Sequence, residues 1–208
     1  MTDATRIAAE LLRIEAVRLR PREPFTWASG IESPIYTDNR VALAYPEVRG
    51  ALRDGLAAIV SGYAEVDAVV GVATAGIPHA ALVADKLGLP MAYVRGAAKK
   101  HGRQNRIEGR LGRGDRVVVI EDLISTGGSS LEAVEALREA GVEVLATVAI
   151  FTYGFDAAAE RFERAGCPLQ TLSDYPTLVA EAARQNLITA EQLELLADWR
   201  TRTSARLG

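Results

Sequence analysis

Val117 to Gly128 reads VVVIEDLISTGG: an unbroken apolar run, two adjacent carboxylates at Glu121 and Asp122, then a Ser-Thr-Gly-Gly turn. The helix-like SSLEAVEALREAG comes next. A β-branched run without polar alternation predicts a strand buried on both faces, Arg116 to Glu121, of the kind found in parallel sheets. In such sheets ligands bind beyond the carboxyl ends of the strands, where the next helix offers unpaired backbone N–H groups and its positive dipole end. Small residues at Ser125, Thr126, Gly127 and Gly128 let a phosphate approach that backbone closely. The acids would repel the same phosphate, so they call for hydroxyls or a cation as partners. A sugar phosphate brings both.

Two familiar phosphate motifs do not fit. A P-loop requires Lys and then Ser or Thr after its last glycine, whereas Ser129 and Ser130 stand there. A dinucleotide turn places its acid downstream of the glycines, and here the acids come first. An ordinary strand-turn-helix with solvated acids is the plain alternative.

The chain around this stretch has 208 residues, 49% hydrophobic and 25% charged, which suits one soluble domain or one domain with a small appendage. A net charge of -3 gives no footprint for nucleic acid, so any anion site must be local. No run approaches the ~18 apolar residues of a membrane span, and charges throughout MTDATRIAAELLRIE speak against a signal peptide; a cytoplasmic location is expected. Cys167 cannot form an internal disulfide and is read as a small buried residue. Cys and His are too few for a zinc cluster.

Outward from the motif, strands and helices alternate. Thr5 to Val17 has the period of an amphipathic helix. PFTW and PIYTD are short extended pieces joined at Ser29-Gly30, with Phe25, Trp27 and Tyr36 able to pack a subdomain or line a pocket for a flat ligand. A helix from Pro46 ends at Gly62. VDAVVGVA then runs through Thr74-Ala75-Gly76 into IPHAALVADKLG, repeating the strand-turn-helix plan, with His79 read as a structural histidine. PMAYVR is a third strand, and GAAKKHGRQNRIEGRLGRG after it is read as a long cationic, glycine-rich loop able to act as a lid. VEVLATVAIF and PLQTL complete a parallel α/β sheet, and from Ser173 the pattern is helical, with Thr189 and Gln192 forming a capping box. The terminal elements are expected to pack together over the sheet's active edge.

Hydrophobic strand, acid pair and S-T-G-G-S closely resemble the phosphoribosyl pyrophosphate (PRPP) signature of the type I phosphoribosyltransferases. The order of pieces, from PFTWASGIESPIY through GVATAGIP and YVRGAAKKHG to VVVIEDLISTGG and AIFTYG, resembles the orotate-using branch along nearly the whole chain. The resemblance implies a parallel sheet flanked by helices over residues 46–172 of a single domain spanning 1–208, with a hood formed by residues 1–45 and 173–208. It implies transfer of the phosphoribosyl group of PRPP to orotate in pyrimidine biosynthesis, with Mg²⁺ held by PRPP and water and not by protein ligands. It also implies a homodimer whose sites are shared, with no nucleic-acid or membrane partner. A purine-type transferase and a PRPP-sensing regulator that binds nucleic acid are the alternatives.

By the same resemblance, Glu121 and Asp122 would take the ribose hydroxyls, with Asp122 facing charge that develops on the ribose ring. Leu123, Ile124, Ser125, Thr126, Gly127, Gly128 and Ser129 would complete the 5′-phosphate loop, and Thr74, Ala75 and Gly76 would hold pyrophosphate beside a non-proline cis bond near Thr74. Arg95, Lys99, Lys100 and His101 would come from the lid, with Lys99 and His101 assisting the departing pyrophosphate. Orotate would meet Tyr36, Thr37, Ser125 and Tyr153. Many members place Lys, Lys and Arg where this chain has Ala28, Ala75 and Tyr153. Orotate's carboxylate would then depend on backbone N–H groups around Tyr36 and Thr37, on the Ser125 hydroxyl, or on Arg40.

Overall fold

The computed structural model describes residues 3–26, 30, 32–96 and 106–207. The chain opens with α1 (Asp3–Arg13), β1 (Val17–Leu19), β2 (Phe25–Thr26), β3 (Glu32–Ser33) and β4 (Ile35–Thr37), then a 3-10 helix (Asn39–Ala44) and α2 (Pro46–Val60). The central part runs β5 (Ala68–Val72), α3 (Gly76–Leu87), β6 (Met91–Val94), β7 (Ile107–Glu108), β8 (Arg116–Ile124), α4 (Gly128–Glu139) and β9 (Glu143–Thr152). It closes with α5 (Asp156–Arg164), β10 (Leu169–Asp174), α6 (Tyr175–Arg184) and α7 (Ala190–Leu207).

Six strands form one sheet in the order β10-β9-β8-β5-β6-β7, parallel except for β7. The apolar run of β8 serves both faces of it. Val118 and Ile120 join the core that α1, α2, α3 and α6 cover, whereas Val117 and Val119 join the core under α4 and α5. Each side chain is fully buried, which is why the alternation expected of a one-sided strand is missing.

Several boundaries differ from the sequence reading. β8 does not stop at Glu121: Leu123 pairs with Phe151 and Ile124 with Thr152, so the ladder to β9 carries the strand past the acids. Ile107 and Glu108, read as loop, pair antiparallel with Val94 and Tyr93 at the sheet edge. α1 ends at Arg13 because Glu15 takes a left-handed φ of 56°, and Val17 already pairs with Thr37. β10 continues to Asp174, whose carboxylate accepts from the Thr177 amide at 2.8 Å and starts α6. The 3-10 helix and α5 carry no sequence signal as strong as a proline or a capping box, and the sequence pattern predicts neither.

The terminal segments meet beside the end of β9. Trp199 of α7 donates to the Glu32 carbonyl at 3.0 Å and stacks near Phe155 and Tyr175, at 6.0 and 5.7 Å between ring centroids. Thr189 and Gln192 form the expected reciprocal cap, at 2.9 and 3.2 Å. Cys167 is buried, as read, next to the Thr147 hydroxyl. Among the described residues no helix is long and apolar enough to cross a membrane.

Candidate active site

β5 and β8 are parallel neighbours, so their carboxyl ends, and the turns that follow, emerge side by side. At the end of β8 Glu121 is buried and held at both oxygens: Oε2 accepts from Ser130 Oγ and Oε1 from the Asp122 amide, each at 3.0 Å. Asp122 next to it is half-buried, and its carbonyl accepts from Asn39 Nδ2 at 2.7 Å. Burial pushes the Glu121 carboxyl well up, and the neighbouring Asp122 charge adds to the effect. Burial also raises Asp122, against the pull of hydrogen bonds and the Arg40 guanidinium. The pair therefore titrates as a unit and resists carrying two charges unless cations or donors join it.

Two requirements make Gly127 a glycine. Its φ of +77° suits a residue without Cβ, and an added Cβ would come within 2.7 Å of the Phe162 ring. It sets Gly128 as the first residue of α4, with Ser125 and Thr126 half-buried and Ser129 exposed around that helix start. Arg161 of α5 donates to the Thr126 carbonyl at 3.2 Å and brings a cation to the turn.

The turn after β5 is built differently. The Ala73–Thr74 peptide is cis, where the resemblance implied one. Thr74 is exposed, Ala75 half-buried and Gly76 buried. A Cβ on Gly76 would lie 2.5 Å from the Ile120 carbonyl oxygen and 3.4 Å from Glu121 Cα, so this turn is wedged against the strand that carries the acids. One turn later on α3, His79 is 1% exposed, and neither ring nitrogen has a hydrogen-bond partner among the described residues. Burial lowers its pKa to about 4, so it is neutral at pH 7 and structural, as read.

Residues 36–40 close the site from the N-terminal side. The Tyr36 ring lies 5.6 Å from Phe25 and under the Arg18 guanidinium at 5.1 Å. Tyr153, pushed up to about 12 by burial, stands near enough to Thr37, Asp122 and Tyr36 to feel all three. Arg95 pairs with Glu108 at 2.9 Å, and the Arg95 amide donates to the Arg106 carbonyl at 2.7 Å. Lys99, Lys100 and His101, together with Trp27 and Ala28, lie outside the described residues.

The structure thus brings together Glu121, Asp122, the Ser125–Ser129 turn, Thr74 to Gly76, Tyr36, Thr37 and Tyr153. The sequence reading missed Ser130, which holds Glu121, Asn39 and Arg161, which reach the Asp122 and Thr126 carbonyls from distant segments, and Asp38, which grips Arg40. The second serine of GGSS and the TDNR run were the available signals.

The Phosphoribosyl transferase domain model matches residues 48–175. A Staphylococcus saprophyticus protein named orotate phosphoribosyltransferase is 58% identical, over 97% of this chain and 100% of its own length. The Aeropyrum pernix orotate phosphoribosyltransferase structure superposes with a TM-score of 0.75 at 32% identity, covering 85% of this chain and 98% of that one. The Mycobacterium tuberculosis orotate phosphoribosyltransferase in complex with PRPP superposes at 0.66 and 26% identity, over 85% and 99%. A family model across residues 48–175 and full-length relatives this similar place the chain: it belongs to the phosphoribosyltransferase family, in its orotate phosphoribosyltransferase branch.

Proposed function

We propose that the chain transfers the phosphoribosyl group of PRPP to orotate, giving orotidine 5′-monophosphate and pyrophosphate, the pentosyl transfer of pyrimidine biosynthesis. The observation that carries this reading is the acid pair of buried Glu121 and half-buried Asp122 running into a glycine turn and a helix start, beside a second turn wedged on the same strand. In that arrangement the α4 N-terminus would take the 5′-phosphate of PRPP through backbone N–H groups and the Ser125, Thr126 and Ser129 hydroxyls. Glu121, oriented by Ser130, would accept from the ribose hydroxyls. Asp122 would face the positive charge that grows on the ribose as the bond from C1 to pyrophosphate lengthens. Thr74, Ala75 and Gly76 would receive pyrophosphate.

Arg95, Lys99, Lys100 and His101 would supply cations to the departing pyrophosphate and exclude water, which otherwise competes for C1. We place them on a lid that reaches the partner's site in a homodimer. Mg²⁺ fits as a cation brought by the polyphosphate: no group of three metal-binding side chains exists among the described residues. It would neutralise charge on pyrophosphate. Residues 46–172 would form the catalytic core, residues 1–45 and 173–208 the hood over the base, and the enzyme would work in the cytoplasm.

The test is incubation of the purified protein with PRPP, Mg²⁺ and a panel of bases. Loss of orotate absorbance is expected. Turnover of adenine or xanthine with none of orotate would overturn the assignment in favour of a purine transferase, whose fold alone would look much the same.

A further inference from the structure

An orotate ring must enter with its negative carboxylate close to two acids, and in a low-dielectric site that approach needs a compensating charge. The donors near Asp122 differ in charge and in how far they are already used. Tyr36 stands opposite Arg18 in the β1–β4 ladder, flanked by the bonds Asp38 N to Ala16 O and Arg20 N to Pro34 O, both 2.7 Å. That register spends the Tyr36 amide on the Arg18 carbonyl. Arg18 and Arg20 lie over the Phe25 and Tyr36 rings, at 4.9 to 5.7 Å, on the side of the hairpin. The Ser125 hydroxyl and the Thr37 amide are neutral donors.

Arg40 differs from all of these. Asp38 caps the 3-10 helix and grips the Arg40 side chain in a fork, Nε to Oδ1 at 2.6 Å and Nη2 to Oδ2 at 2.9 Å. The adjacent Asn39 is bonded to the Asp122 carbonyl at 2.7 Å, so the turn that carries Arg40 is docked on the catalytic strand. Arg40 and Asp122 act on each other electrostatically, and Tyr36 also feels the guanidinium. The fork leaves the Nη1 edge with donors to spare. A guanidinium preset by one carboxylate is suited to receive a second in plane.

We infer that Arg40, held in place by Asp38 and carried on the Asn39–Asp122 contact, binds the carboxylate of orotate and selects for an acidic pyrimidine. The inference rests on the proposed reaction. It makes Arg40 a specificity-determining residue whose work is in ground-state recognition.

The experiment compares wild type with Arg40→Ala, Arg40→Lys and Asp38→Asn, using orotate as substrate and orotamide, which carries a neutral amide at the same position, as competing ligand. Arg40→Ala is expected to raise the orotate KM by roughly 10–100-fold, the size of a lost charge-assisted bond, while the KM for PRPP moves by less than about 2-fold. Its Ki for orotamide should stay near the wild-type value, so that discrimination between acid and amide collapses. Arg40→Lys should recover part of it, and Asp38→Asn should lose a smaller part by loosening the fork. An unchanged orotate KM, or equal losses for orotate and orotamide in Arg40→Ala, would overturn the assignment, since the side chain would then act on the fold or on the ring alone. Wild-type protein that consumes no orotate overturns the proposed reaction and this inference together; normal wild-type turnover with an indifferent Arg40 overturns the inference alone.

Discussion

The turns after β5 and β8 follow the same plan, strand into small residues into helix, and sit side by side on one sheet, yet they are made by different physics. The β8 turn is electrostatic. It presents a buried and a half-buried carboxylate, a left-handed glycine and a helix start, and the polar residue inside the first turn of its helix, Ser130, is bonded to Glu121. The β5 turn is steric. It presents no charged side chain, its glycine is wedged on the Ile120 carbonyl, and the polar residue inside its helix, His79, is buried without a hydrogen-bond partner among the described residues. Because Gly76 rests on the backbone of the acids themselves, the steric half sets the position of the electrostatic half. Substitutions in the β5 turn should cost activity through stability, and those in the β8 turn, Gly127 apart because its Cβ would meet the Phe162 ring, should cost activity alone.

The largest separation between the two is expected at Asp122. Asp122→Asn removes the charge proposed to face the developing positive ribose, and turnover should fall by about 10²–10³-fold, as with other lost electrostatic stabilisers. Its melting temperature should hold or rise, because Asp122 is one of the groups that raise the Glu121 carboxyl. Mixing these subunits with Lys99→Ala subunits should restore part of the activity, since one site of the mixed dimer would then have both residues. A normal rate in Asp122→Asn would break the assignment of charge to the β8 half, and no recovery on mixing would break the proposal of a lid shared in a dimer.

His79 gives the β5 half a pH signature. Its folded pKa of about 4 lies below the ordinary 6.5, so the unfolded chain takes up a proton that the folded chain refuses. Stability from this source is complete above pH 6.5 and falls as pH drops toward about 4, by up to about 3 kcal/mol. His79→Leu should flatten that part of the difference between melting curves taken at pH 7 and pH 4.5. An identical pH slope in the variant would show that the loss on the acid side comes from the carboxylates.

How much of this could be read from the sequence follows the same division. The β8 half was legible because charge and glycine are written locally: an apolar run, EDLISTGGS, and a helix pattern decide strand, acids and helix start within a few residues. Even there the strand end was misplaced, because Leu123 and Ile124 stay extended only through pairing with Phe151 and Thr152. The β5 turn was legible as a turn but not as a wedge, since the contact of Gly76 with Ile120 joins segments far apart in the chain. The same holds for Asn39, which reaches an Asp122 carbonyl 83 residues away. The edge strand Ile107–Glu108 is too short to have a period of its own.

The finest test of the comparison is a pair of single methyl groups. Gly76→Ala places a Cβ 2.5 Å from the Ile120 carbonyl oxygen, which belongs to backbone and cannot rotate away, so α3 and β8 must separate. The expected loss is about 2 kcal/mol, within the range for overpacking, and activity should fall with it because Glu121 moves as well. Gly128→Ala makes no such demand: its φ is ordinary, and the new Cβ would meet no protein atom within 4 Å. Stability should change by less than about 0.5 kcal/mol, since alanine restricts the unfolded chain without straining the folded one. Activity is where this methyl should register, because it projects at the α4 start where the 5′-phosphate is proposed to lie, and the KM for PRPP should rise several-fold at unchanged melting temperature. Were Gly128→Ala to lower the melting temperature as far as Gly76→Ala does, the two turns would be equally steric and the division between them would fall. Were it to leave the PRPP KM untouched, the phosphate would have to bind elsewhere than at α4.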